Sequence, residues 1–221
     1  MDGRVELKYC VHERVAAHVL DVARAYLSPE PLARGPRQRI TSLYLDTDDL
    51  TFLRWHQAGA GDRFKLRIRG YGEPPAPTLY AEVKRKTGSV VRKQRIPFSA
   101  ERIASVVDRC RAGSGATPRV LIRGIRESLR DPATETAVTV DCGHEYQSTR
   151  RADLTGNPRT WAPLPLPPTS GEPMLVELKY GAGPPDWMAQ LIDALEPSRI
   201  SFSKYVTAMQ ACPATPRLEL M

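Results

Sequence analysis

Alternating apolar and polar residues recur along this chain and mark strands. Val5–Val11, Arg39–Asp46, Arg63–Tyr71, Thr78–Lys86 and Ser89–Phe98 read this way. Pro118–Leu129, Thr136–Tyr146 and Met174–Tyr180 complete a set of eight strands. The third to fifth form a meander, its second connection a tight TGS turn suited to antiparallel pairing. Helical spacing of apolar residues appears in His12–Leu27, Asp48–Gln57, Ser99–Arg111, Asp186–Leu195 and Ser203–Gln210. Asp48 and Asp49 suit a helix start, and Ser99 suits an N-cap. The pattern predicts an α+β chain, an antiparallel barrel with helices outside. The proline-rich stretch 156–171 is too short to divide it, so residues 1–211 read as one domain with a flexible tail at 212–221.

The alternation also separates two faces. In FKLRIRG, Phe64, Leu66 and Ile68 share one face, and Lys65, Arg67 and Arg69 the other. Tyr80, Glu82, Lys84 and Lys86 lie together, as do Val91, Lys93 and Arg95. ELKY occurs twice, at 6–9 and 177–180, each time with Glu and Lys on one face and Leu and Tyr on the other. Val138 and Val140 oppose Ala137, Thr139 and Asp141. A solvated charged face is the ordinary explanation. Here cations stack at i, i+2 and i+4 beside equally basic neighbours, which is unfavourable without a counter-anion. Helices covering the apolar face would close the sheet around its charged one and make a polar tunnel.

Composition sharpens this reading. The 221 residues carry a net charge of +7, which suggests an anionic partner. Lys and Arg in a tunnel suit phosphate oxygens. Glutamates among them have two roles open: ligands for Mg²⁺ or Mn²⁺, or partners for the adjacent lysines. Asp46 shares the face of Tyr44 and could point inward. The four cysteines form no CxxC pair and read as free thiols, and the four histidines show no ligand spacing, with His12 and His18 in a helix. No P-loop is present. Aromatic residues are only 7% of the chain, with Tyr9, Tyr180 and Phe64 on the apolar side, which argues against nucleic acid. No apolar run is long enough to span a bilayer and no leader is evident, so a cytoplasmic protein is expected. A membrane partner protein encoded elsewhere is compatible with that expectation.

Eight pieces in order carry a resemblance: ELKY (6–9), SLYLDTDDLTFL (42–53), KLRIRGYG (65–72), EVKRK (82–86), VVRKQR (90–95), VTVD (138–141), VELKY (176–180) and SKYVTAM (203–209). Together they resemble the polyphosphate polymerase domain of the vacuolar transporter chaperone (VTC) family, within the triphosphate tunnel metalloenzyme superfamily. The resemblance implies an eight-stranded antiparallel tunnel and transfer of the ATP γ-phosphoryl group onto polyphosphate with Mn²⁺ or Mg²⁺. It implies Lys8, Arg67, Arg69, Lys84, Lys93 and Arg126 as catalytic phosphate ligands. It also implies Glu177 as the metal ligand and Lys204 as a further basic residue at the tunnel end. From the charged faces themselves, Arg95, Lys179, Lys65 and Tyr44 are expected to bind substrate, and Glu6 and Glu82 are candidates either for the metal or for pairing with the adjacent lysines.

Two positions depart from the family pattern. Ala137 stands where an Arg is expected, and Gly124 where an aromatic is expected before Arg126. Arg123, Arg92 or Arg95 could compensate for the lost Arg. The alternatives are a CYTH-type triphosphatase, or a non-catalytic module that binds polyphosphate or nucleotide. The triphosphatase pattern ExExK is incomplete here, because Arg4 occupies its first Glu position.

Overall fold

The computed structural model describes residues 5–30, 35–74, 76–88 and 90–212. Arg4, Ser89 and the expected tail beyond Cys212 lie outside the described residues. In chain order the elements are β1 (Val5–His12), α1 (Glu13–Arg24), β2 (Ser28–Pro29), β3 (Arg37–Asp46) and α2 (Thr51–Gln57). Then come β4 (Asp62–Tyr71), β5 (Thr78–Thr87), β6 (Val90–Ser99), α3 (Ile103–Ser114), β7 (Thr117–Asp131) and β8 (Thr136–Ser148). The last are β9 (Ala162–Pro163), β10 (Pro173–Tyr180), α4 (Asp186–Leu195) and α5 (Lys204–Ala211). All eight expected strands form, within two residues of the expected ends. The two-residue strands β2 and β9 have too few positions to show a period.

The fold is α+β. Hydrogen-bonded strands follow the order β1-β10-β8-β7-β3-β4-β5-β6, with β2 on β7 and β9 on β8. Two compact units divide the chain: the described parts of 1–39, 124–143 and 166–202, and of 40–123, 144–165 and 203–221. Strands β3, β7 and β8 contribute residues to both. In the first unit, Leu7 and Tyr9 of β1 and Leu178 of β10 pack with Ala16, Val19 and Leu20 of α1 and Met188 of α4. In the second, Leu43, Leu66, Ile68 and Leu79 pack with Phe52 of α2 and Val106 of α3. In these strands the apolar face is therefore the one the helices cover. Among the described residues, no helix is long and apolar enough to cross a membrane.

Several helix ends differ from the sequence pattern. His12 ends β1, and its side chain accepts a hydrogen bond from the Arg14 amide at 3.2 Å, capping α1 from outside. Ser99 makes no capping bond; a 3₁₀ turn at Ala100–Arg102 precedes α3 instead. Gly115 closes α3 at φ +70, a left-handed cap that glycine adopts without strain. Helix α2 starts at Thr51, after Leu50 at φ 59, and neither Asp48 nor Asp49 sits in its first turn. Asp48 pairs with Arg119 at 2.5 Å, while Asp49 accepts from the Thr51 hydroxyl at 2.8 Å.

The carboxylate that holds the start of α2 is Asp46. It is fully buried and accepts the amides of Phe52 and Leu53 at 2.9 Å and that of Thr47 at 2.7 Å. The Tyr205 hydroxyl of α5 donates to Oδ2, the oxygen that also accepts from Leu53. Two helices of the second unit thus meet on one carboxylate. Asp46→Ala would leave buried donors unpaired, so a loss of about 3 kcal/mol is expected, with Asp46→Asn costing less. Urea unfolding at an unchanged m-value measures it; equal midpoints for wild type and Asp46→Ala would show that the brace is dispensable.

Candidate functional site

Pairing registers turn the alternating cations of the second unit into rows. Lys65 lies opposite Lys84, and Lys84 opposite Lys93. The next row runs Tyr44, Arg67, Glu82, Arg95, and the next Ser42, Arg69, Tyr80, Pro97. Opposed residues share a face, so this is one basic ladder across β3 to β6. Like charges directly opposed are unfavourable unless an anion joins them.

One anion does. The side chain of Glu82 is 2% exposed and meets four cations. Arg67 reaches Oε2 with Nε and Nη2, each at 2.6 Å, and Arg69 approaches the same oxygen at 3.8 Å. Lys93 stands 2.9 Å and Arg95 3.3 Å from Oε1. Burial alone would raise the Glu82 pKa, but Arg67, Arg69 and Lys93 outweigh it and hold the carboxyl well below its usual range. Lys93 moves the other way: burial lowers its pKa to about 8, with Arg67 and Arg69 adding to that and Glu82 opposing it.

The arginines are fixed from behind. Arg67 Nη1 donates to the Tyr44 hydroxyl at 3.0 Å, and Arg69 Nε donates to Ser42 at 3.1 Å. Burial would raise the Tyr44 pKa, yet Arg67, Arg69 and Lys204 together hold it below the ordinary phenol value. Tyr44 stacks on Tyr205 with ring centroids 5.1 Å apart. Lys65 donates to Ser203 at 2.8 Å, and Ser203 also caps α5. His56 of α2 is half-buried. Its Nε2 is buried without a hydrogen bond, and burial, with Lys65 nearby, lowers its pKa to about 3.

The first unit holds a smaller mixed cluster. Lys8 lies opposite Glu177, and Glu177 opposite Thr139; the adjacent row is Glu6, Lys179, Ala137. Lys8 Nζ is 3.2 Å from Glu6 and 3.8 Å from Glu177, and it donates to the Phe202 carbonyl at 3.0 Å. Lys179 pairs with Glu177 at 2.5 Å, and Thr139 donates to the same oxygen at 3.4 Å. The Lys179 pKa is lowered, chiefly by burial, while Glu177 opposes the shift. Arg126 grips Asp141 through two bonds, at 2.5 and 2.6 Å. Ala137 brings no charge to its row.

The sequence-expected residues therefore gather in two groups, each within one unit. Tyr44, Lys65, Arg67, Arg69, Glu82, Lys84, Lys93, Arg95 and Lys204 belong to the second, and Glu6, Lys8, Arg126, Glu177 and Lys179 to the first. Asp46, expected as an inward candidate, is committed to α2 and Tyr205. The sequence reading did not find Ser42, Ser203 or Tyr205 as supports. The SKY run around Lys204 carried the only signal for two of them.

Among the described residues, no group of three or more His, Cys, Asp or Glu is placed to hold a metal. Glu82 is a poor metal ligand as it stands, because both of its oxygens face cations and two of those bonds come from a largely buried guanidinium. Glu6 and Glu177 fit better. They pair with the ammoniums of Lys8 and Lys179, and a phosphate-bound Mg²⁺ or Mn²⁺ needs only one or two carboxylates. A separate cavity of about 300 Å³ lies beneath α1 in the first unit, with Leu20, Ile125, Val140 and Met174 in its wall.

The family profile of the VTC domain matches residues 3–149. The chain belongs to the VTC domain family. No curated protein matches this VTC domain. Among solved structures it is similar to a candidate adenylate cyclase from Vibrio parahaemolyticus, at 16% identity and a TM-score of 0.53, covering 93% of this chain and 97% of that one. It is also similar to a candidate adenylate cyclase from Bacillus halodurans, at 13% identity and a TM-score of 0.52, covering 91% and 94%. The PH1819 protein of Pyrococcus horikoshii OT3 aligns at 11% identity and a TM-score of 0.52, covering 94% and 99%. At such identities the likeness concerns the fold alone, and that fold is the triphosphate-tunnel fold.

Two outcomes follow for the ladder of this VTC domain. Glu82→Gln leaves four cations around a neutral amide and is expected to cost about 3 kcal/mol. Tripolyphosphate should restore the unfolding temperature of that variant, by binding only the folded state; no recovery would argue against a polyanion site. Lys93 is charged below about pH 8, so tripolyphosphate affinity should fall as pH rises through 8. Titration calorimetry should find that fall removed in Lys93→Arg, whose charge persists.

Proposed function

We propose that this protein is a metal-dependent phosphotransferase that moves the terminal phosphoryl group of ATP onto a growing inorganic polyphosphate chain. The observation that carries this reading is the basic ladder, whose cations outnumber its buried carboxylates and call for an elongated polyanion. A terminal oxygen of the polyphosphate attacks the γ-phosphorus, the bond to the β-phosphate oxygen breaks, and ADP leaves. Such chemistry asks the protein for positioning and charge neutralisation more than for covalent help.

In this reading Lys65, Arg67, Arg69, Lys84 and Lys93 hold phosphate oxygens, with Arg95 and Lys204 beside them. Glu82 keeps the guanidiniums in place while the site is empty, and Tyr44 orients Arg67. Lys8, Lys179 and Arg126 are the proposed phosphate-binding residues of the first unit. Glu177 and Glu6 would hold Mn²⁺ or Mg²⁺, which supplies Lewis-acid neutralisation of phosphate charge. ATP and polyphosphate are the partners proposed, nucleic acid is not, and a cytoplasmic location with a membrane partner protein remains part of this reading.

A triphosphatase, in which water replaces the polyphosphate acceptor, is the second reading. It is favoured by Ala137, which leaves the row of Glu6 and Lys179 without the family's arginine, and by Arg126, which is occupied with Asp141.

Incubation of the purified protein with ATP and Mn²⁺ separates these readings. Polymer on a gel is the expected product; free phosphate without polymer would replace the proposal with the triphosphatase. Neither product, together with tight polyphosphate binding, would leave a binding module. Lys84→Ala is expected to lower turnover by about 10²-fold, as loss of one charge-stabilising contact does, and Glu177→Gln to raise the metal concentration required. Undiminished activity in both variants would overturn the residue assignment.

A further inference from the structure

At one end of the ladder the charged rows give way to aromatic rings. Along one face, β4 presents Lys65, Arg67, Arg69 and then Tyr71, while β5 presents Lys84, Glu82 and then Tyr80. Tyr71 and Tyr80 meet edge to face with centroids 5.6 Å apart, and both are half-buried. The Arg95 guanidinium lies 3.9 Å from the Tyr80 centroid and 5.0 Å from that of Tyr71.

Arg95 differs from the other arginines of the ladder. Its Nη2 is buried without a hydrogen-bond partner, and its Nε meets Glu82 only as an ion pair without an aligned hydrogen bond, whereas Arg67 makes aligned bonds to Glu82 and Tyr44. Its place depends on ring contacts and on the ion pair to Glu82 at 3.3 Å. Buried donors without acceptors are uncommon in native proteins and call for an explanation. A ligand that brings both an acceptor and a flat ring would provide one. The two steps from Tyr80 through Glu82 to Lys84 span about 13 Å along the strand, which is comparable to the reach of an extended nucleoside triphosphate from its terminal phosphate to its base.

We propose that Tyr80, with Tyr71 and Arg95, forms a stacking platform for the base of a nucleoside triphosphate whose phosphates lie along the cationic rows. The platform rests on the phosphate-binding reading of the ladder and makes the ligand a nucleotide rather than an inorganic triphosphate. Stacking is sequence-tolerant because every base has a π-face, so the platform selects for the presence of a base and not its identity. Arg95 swings from the tyrosines toward the phosphate nearest the base, and the ring face it leaves receives the base.

Titration of ATP and of tripolyphosphate into wild type, Tyr80→Ala and Tyr80→Phe tests this. Tyr80→Ala should lose about tenfold in ATP affinity, within the range that base–aromatic stacking supports, while tripolyphosphate affinity stays unchanged. That unchanged affinity also shows that the variant is folded. Tyr80→Phe keeps the ring and should bind ATP as the wild type does. Equal ATP affinity in wild type and Tyr80→Ala, or equal losses for both ligands, would overturn the platform alone. Failure of the wild type to bind either ligand would overturn the phosphate-binding reading and the platform with it. If Tyr80→Ala does not fold, Tyr71→Ala must show the same selective loss of ATP affinity, and its absence there would overturn the platform.

Discussion

A single buried carboxylate organises the basic face of this protein. Glu82 stands within 4 Å of Arg67, Arg69, Lys93 and Arg95. Without it, these four cations would stand close together with no carboxylate between them, in a setting that water screens poorly. With it, the cluster holds together yet still carries more positive than negative charge. An arrangement balanced in charge would have no call for an anionic ligand, and one without Glu82 would repel itself.

The cluster is also tied to the packing of its unit. Arg67 rests on Tyr44, Tyr44 stacks on Tyr205, and Tyr205 donates to Asp46, which holds the amides at the start of α2. Lys65 is fastened to the cap of α5 through Ser203. Side chains so constrained need little reordering when a ligand arrives, which favours binding. The first unit is built differently: Lys8, Glu6, Glu177 and Lys179 share their charges through flexible ammoniums, which can exchange partners more readily than a rigid guanidinium fork.

Much of this was visible in the sequence, for a physical reason. Strand periodicity is local, so the alternation in FKLRIRG and in both ELKY copies was enough to place cations on one face and Leu and Tyr on the other. The eight ordered motifs were enough to mark the family. Helix ends were less legible, because caps are set by neighbours: Ser99 looked like a cap and is not one, while His12 and Asp46 serve α1 and α2 from the preceding strands.

The sequence alone determined the eight long strands, the charged face of β4, β5 and the two ELKY strands, and that the positive charge is in excess. The tertiary structure decided how those charges are shared. Whether Glu82 faces cations or a metal depends on the cross-strand register, which sets Arg67 and Arg95 beside it. Whether Arg126 is open or engaged depends on Asp141 standing on another strand. Tyr205 reaches Asp46 across 159 residues of chain. Alternation is written into neighbouring residues, but partnership is a matter of distances between residues far apart in sequence, and these exist only once the sheet has formed.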